Sequence, residues 1–233
     1  MESVKPRPST YALGIDLGKR VDPSALSLTE HTAAGRFLVR HLERLPLGMS
    51  YNAQADRVGE IFLRAVARLD AEQTDAERRA DLFTDPLSRP PVAHAWGRIQ
   101  LFVDCTGVGT AVVDDILREH LDLEHAKIVG VLFGSSEHFT LKPGGKEASL
   151  GKAWLVSKLQ ALLSPPARVE LPPIAEADAL IEELRNYEVR RNESDGRLTA
   201  GAFKVGTHDD LATALALSCL PVKIYTACSE SYF

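Results

Sequence analysis

Residues 98–134 run from an apolar segment, RIQLFVDCT, through a glycine turn, TGVGT, and a helical stretch at 109–119 into a second apolar segment, KIVGVLFG. A strand, a helix and a strand in that order lie parallel in one sheet, joined by a right-handed crossover, and a parallel sheet needs helices over its faces. This unit makes the chain an α/β protein before any other segment is read.

The rest can be placed around it. YALGIDLG (11–18) is a short β-rich run that delivers Asp16 to its C-terminal end, and SALSLTEH and GRFLVRHLERL read as the next two strands, a meander turning near Ala33–Gly35. In residues 53–70, Val58, Ile61, Phe62, Ala65, Val66 and Leu69 recur at helical spacing. The charged, proline-containing stretch 71–97 is expected to be a surface insertion. SSEHFTLKPGGKEASLG reads as a loop ahead of the helix KAWLVSKLQALLS. ADALIEELRNYEV begins as a helix with Leu180, Ile181 and Leu184 on one face, and YEVRRNESDGRLTAGAF (187–203) predicts an auxiliary hairpin about Asp195–Gly196. One domain is expected over 1–233, with 1–10 and 224–233 as tails.

Composition narrows the setting. The 233 residues are 45% hydrophobic and 25% charged, enough for one substantial core. Against 32 Asp plus Glu stand 27 Lys plus Arg, a net charge of −5, so no global basic field advertises nucleic acid and any phosphate contact must be local. Cys105, Cys219 and Cys228 are odd in number and lack metal spacing, which fits a reduced, cytoplasmic setting with Cys105 and Cys219 as small core residues. No apolar run approaches the roughly 18 residues of a membrane span, and MESVKPRPST lacks the apolar centre of a secretory leader.

Near the C-terminus, THDDL (207–211) opens a helix whose ten residues LATALALSCL carry no charge. A helix apolar almost all round is buried on several sides, so its first turn stands close to the interior, where adjacent anions need compensation. Capping and the helix dipole account for one acidic residue; the sequence holds two, Asp209 and Asp210.

Ligands bind at the C-terminal ends of strands in parallel α/β sheets. Asp16 and Asp104 are both expected there, although Asp16 can serve only a turn before glycine and Asp104 only the cap of the following helix. If the last helix crosses that edge, Asp209 or Asp210 joins them. Clustered carboxylates are tolerated around a divalent cation, and oxygen-only ligation suits Mg²⁺ or Mn²⁺. Two such ions support in-line hydrolysis of a phosphodiester.

YALGIDLG with Asp16, LFVDCTGVGTAVVDDIL with Asp104, and LIEELRNYEV…DGRL…GTHDDLATALALS with Asp209 and Asp210 together resemble the C-terminal nuclease domain of phage terminase large subunits, over about residues 11–220. The resemblance implies a ribonuclease H-like fold: a mixed sheet, antiparallel meander plus parallel strands, flanked by helices. It implies a DNA-packaging endonuclease that cuts concatemeric double-stranded DNA non-specifically with two Mg²⁺ or Mn²⁺ ions held by Asp16, Asp104, Asp209 and Asp210, with His208 in support. Its partners would be an ATPase domain, a small terminase subunit and a portal, in the host cytoplasm. Lys142, Lys146 and Lys152 in and after one loop, and Arg190, Arg191 and Arg197 on the hairpin, are the candidate DNA contacts. No G-x-x-x-x-G-K-[ST] motif occurs, so an isolated nuclease domain or a stand-alone relative is expected.

Two other readings stay open. A Holliday-junction resolvase shares the fold, an opening like LGIDLGKR and a late Asp-rich helix. An actin-like or sugar-kinase ATPase would use GIDLG and VDCTGVGT as phosphate loops, but leaves THDDLATALALS without a role.

Overall fold

The structure is a computed structural model and describes residues 9–18, 22–81, 98–106, 113, 117, 127–134, 136, 138–191, 198–201 and 208–221. Strands β1 (Thr10–Asp16), β2 (Ala25–His31) and β3 (Phe37–Arg44) form the expected meander. The β2–β3 turn contains Gly35 at φ 74°, inside the segment read as a turn. Strands β4 (Ile99–Asp104) and β5 (Lys127–Gly134) lie parallel to β1 in succession on its other side. Within the order β3-β2-β1-β4-β5 only β2 is antiparallel to the rest, which is the ribonuclease H-like arrangement.

The sheet is wider than the sequence reading allowed. Residues 135–151 were expected to be a loop, yet β6 (Thr140–Leu141) and β7 (Glu147–Gly151) form a hairpin within them, and β7 pairs parallel with β5. Gly144 and Gly145, with φ of 86° and 70°, supply the turn, and Ala148 and Leu150 bury one side of β7 against the core. A two-residue strand, β8 (Val169–Glu170), extends the opposite edge beside β3. Eight strands therefore run in the order β6-β7-β5-β4-β1-β2-β3-β8.

Helix α1 (Tyr51–Asp81) covers one face. The Ser50 hydroxyl accepts the Ala53 amide at its start, and Val58, Ile61, Phe62, Ala65, Val66 and Leu69 pack on Tyr11, Leu13 and Ile15 of β1. The helix continues twelve residues past Leu69, the end of that stripe, into the segment expected to be an insertion. AEQTDAERRAD has no apolar face but is made of good helix formers and contains no proline. Residues 82–97 lie outside the described residues. So does most of the helix expected at 109–119, although Val113 and Leu117, four apart, are described and buried.

The other face carries α2 (Lys152–Leu163), α3 (Ala175–Asn186) and α4 (Asp210–Ser218). All nine residues of α4 are buried, Asp210 and the uncharged run that follows it alike. The contact is unusually close at Gly14 of β1: a Cβ built there would stand 2.0 Å from the Ala214 carbonyl oxygen. Only glycine on the strand, with alanines on the helix, permits that approach. At its far end, Ser218 donates to the Leu215 carbonyl and accepts from Ser27 and Thr29, while His31 Nε2 donates to the Ser218 carbonyl. The auxiliary hairpin, β9 (Glu188–Arg191) paired with β10 (Leu198–Gly201), falls within the predicted segment; its Asp195–Gly196 tip lies outside the described residues.

Candidate functional site

Asp16 and Asp104 are the last residues of β1 and β4, and the parallel register sets them directly opposite one another. Between these strands the chain diverges, to β2 and β3 on one side and to β5 and β7 on the other, so the two carboxylates occupy a topological switch point. Burial, with Asp104 adding to it, raises the Asp16 pKa well above the usual carboxylate range, against the opposing pull of Lys152. Asp104 is also raised, first by burial, although Thr106 holds it down. The Thr106 amide donates to Asp104 Oδ1 at 2.8 Å, a local turn bond, and the start of the helix that Asp104 was expected to cap lies outside the described residues. Thr106 Oγ1 in turn accepts the Phe133 amide of β5 at 2.9 Å, locking this strand end to its neighbour.

Helix α4 brings the second pair. Asp209 occupies its cap position but makes no side-chain cap bond. Instead its Oδ2 accepts from Lys152 Nζ, at the start of α2, at 2.7 Å. Burial depresses the Lys152 ammonium, but Asp209, followed by Asp16 and Asp104, more than offsets it, and the pKa stands above the ordinary value. Asp210 has different neighbours, although Asp16 feels its charge more than that of Asp209. Its Oδ2 lies 3.9 Å from Arg44 Nε and 3.6 Å from Nδ1 of the exposed His208, and both Asp210 Oδ2 and Arg44 Nε lack a hydrogen-bond partner among the described residues. Burial first, and Asp209 after it, push the Asp210 pKa up to about 6, although His208 and Arg44 oppose them.

Four carboxylates thus share one end of the sheet with one lysine among them, and Asp16 feels the charge of all three others. Among the described residues no three His, Cys, Asp or Glu side chains converge as a ready-made metal cage. In donor chemistry the set nevertheless fits an oxygen-seeking divalent cation: it is oxygen-only, anionic in excess, and holds an orphaned buried carboxylate oxygen.

The candidate DNA contacts separate. Lys152 belongs to the carboxylate cluster, with its ammonium 5.9 Å from the centre of the Phe133 ring. Lys142 and Lys146 are exposed on the β6–β7 hairpin, where Lys142 pairs with Glu147 at 2.6 Å. Arg190 is exposed on β9 and pairs with Glu188. Arg191 lies on β9 by its backbone, and Arg197 lies outside the described residues.

Four residues of the site were not singled out by sequence. Tyr187, just before β9, has a buried hydroxyl with no partner among the described residues, and burial followed by Asp209 and Asp16 raises its pKa. Glu183 is buried on α3, and Arg44 ends β3 beside it. Glu183 was detectable in principle, as a charged residue between Leu180 and Leu184 on the apolar stripe. Gly201 of β10 brings the auxiliary hairpin over the site, since a Cβ there would stand 3.0 Å from Asp209 Oδ2.

No family model matches the chain, and no curated protein matches it. The chain is similar to solved terminase nucleases. With that of the thermophilic phage G20c it shares 24% identity and a TM-score of 0.45, over 91% of this chain and 82% of that one. For the g2p nuclease domain of bacteriophage SPP1, solved with bound Mn, the values are 13% and 0.47, over 91% and 86%. For the human cytomegalovirus terminase nuclease domain, soaked with Mn, they are 13% and 0.44, over 93% and 85%. Cys105 and Cys219 are both buried and neither is in a disulfide. No helix among the described residues is long and apolar enough to cross a membrane.

Proposed function

We propose that the chain is a metal-dependent endonuclease of a viral DNA-packaging terminase, hydrolysing phosphodiester bonds in double-stranded DNA. The observation that carries this is the in-register pair Asp16 and Asp104 at adjacent parallel strand ends, with Asp209 delivered beside them by a fully buried helix. A structural cap or turn does not call for that convergence.

Asp16, Asp104 and Asp209 are the residues to hold two Mg²⁺ or Mn²⁺ ions, and Asp210 is the fourth carboxylate. When bound, such ions acidify a water and neutralise charge on the phosphate. The chain's own groups do the rest. Lys152 keeps the anionic cluster together and offers an ammonium to a phosphate oxygen, the Tyr187 hydroxyl donates to the same group, and His208 stands exposed at the rim to exchange a proton with water. Lys142, Lys146 and Arg190 contact the DNA backbone through charge, independent of sequence. An ATPase domain, a small terminase subunit and a portal are the partners in packaging.

Incubating supercoiled plasmid with the protein in Mg²⁺, Mn²⁺, Ca²⁺ or EDTA tests the reading. Nicking or linearisation with Mg²⁺ or Mn²⁺ and none in EDTA is expected. Intact plasmid under all four conditions, at protein in excess of DNA, overturns it.

A further inference from the structure

An aspartate at a helix cap normally turns its carboxylate onto the amide at the third helical position. In α4 the cap residue is Asp209 and the third position is Ala212, but that amide is already taken. The Ala212 N–H donates to Glu183 Oε2 at 2.8 Å, a buried bond from a different helix, 29 residues earlier in the chain. The other oxygen of Glu183 is paired with Arg44, which fixes the carboxylate from the β3 side. Glu183 is only 5% exposed and sits among apolar residues of α3, a costly place for a carboxylate unless its charge and both oxygens are satisfied. Both oxygens are.

Resting on the nuclease reading above, we infer that Glu183, anchored by Arg44, is a positioning residue: it caps α4 in place of Asp209 and so leaves the Asp209 carboxylate free for the site. Two adjacent aspartates at one helix mouth then have different neighbours. Asp209 is bonded by Lys152, and Asp210 lies 3.9 Å from Arg44. Without Glu183 the Ala212 amide has no acceptor, and the nearest replacement is Asp209 itself, turned away from the site.

The test uses Glu183→Met, which keeps the volume and removes the acceptor, and Glu183→Gln, which keeps an acceptor and removes the charge. Plasmid nicking and melting temperature are both titrated with Mn²⁺. For Glu183→Met the half-saturating Mn²⁺ concentration should rise about 10- to 100-fold, with most of the maximal rate recovered at saturating metal. Glu183→Gln should restore half-saturation to near the parent value. A lower melting temperature for Glu183→Met with unchanged half-saturation would mean Glu183 serves stability alone, and overturns the inference. If Glu183→Met does not fold, Arg44→Gln replaces it: releasing the anchor should raise half-saturation in the same direction, and no change there overturns the inference as well. Failure of the nuclease reading looks different, because the parent itself would then show neither nicking nor an Mn²⁺-induced rise in melting temperature.

Discussion

The ammonium of Lys152 lies 2.7 Å from Asp209 Oδ2, joining the first residue of α2 to the residue just before α4 across the ends of β1 and β4. Sequence had grouped this lysine with Lys142 and Lys146 as a surface contact. Its partners make it the counter-charge of the carboxylate cluster, and its removal has two opposed effects. Lys152→Met should lower the melting temperature of the metal-free protein, at a cost of about 1–3 kcal/mol given its partial exposure. The Mn²⁺-induced rise in melting temperature should grow, because a repelling cation is gone. Differential scanning calorimetry with and without Mn²⁺ checks both; an unchanged Mn²⁺ increment would place the metal elsewhere.

Asp209 and Asp210 should respond unequally to removal of charge. Asp209→Asn is expected to lose nicking by orders of magnitude while keeping the fold. Asp210→Asn, whose carboxylate lies 3.9 Å from Arg44, should lose less and should stabilise the metal-free protein, since burial outweighs the pull of His208 and Arg44 and the buried anion is neutralised. Nicking rates against Mn²⁺ concentration, with melting curves, decide it. The reverse ranking would assign the direct role to Asp210.

Stability without metal should fall with rising pH. The Asp210 pKa is about 6 in the folded chain, above the ordinary value of 3.8, so between those two the folded state binds more protons than the unfolded state. Its contribution is most favourable below about pH 4 and is lost as pH rises through 6, by roughly 2–3 kcal/mol. Asp16 and Asp104, raised in the same direction, add to the slope. Urea unfolding in EDTA across pH 4–7 measures it, and Asp210→Asn should flatten the curve. A parent whose stability rises over that window would contradict the assigned burial.

Gly14→Ala should be among the most damaging small substitutions in the chain. The added methyl would meet the backbone of α4, with the Ala214 oxygen at 2.0 Å and the Ser218 nitrogen at 2.6 Å, so no side-chain rotation relieves it. A loss of about 3 kcal/mol or more is expected, and nicking should fall with it because α4 carries Asp209. Circular dichroism melting is the measurement, and a change under 1 kcal/mol would show that α4 packs more loosely.

Local pattern determined much of this protein. The β-rich runs of the meander, the 3.6-residue stripe of α1, the strand–helix–strand order and the uncharged run after Asp210 each depend on neighbours in the chain, so Asp16, Asp104 and the Asp209/Asp210 pair were legible as candidates. So was the auxiliary hairpin. The β6–β7 hairpin was not, because its strands are short and are held by the pairing of β7 with β5 and of β6 with β7 rather than by their own pattern. Nor could sequence decide which aspartate of the pair is bonded by Lys152. That depends on Glu183 and Arg44 converging on the first turn of α4 from α3 and β3, and on Lys152 arriving from α2. Capping propensity belongs to a residue type, whereas occupancy of the Ala212 amide depends on which acceptor the packed helices bring within reach. Only the tertiary structure supplies that acceptor.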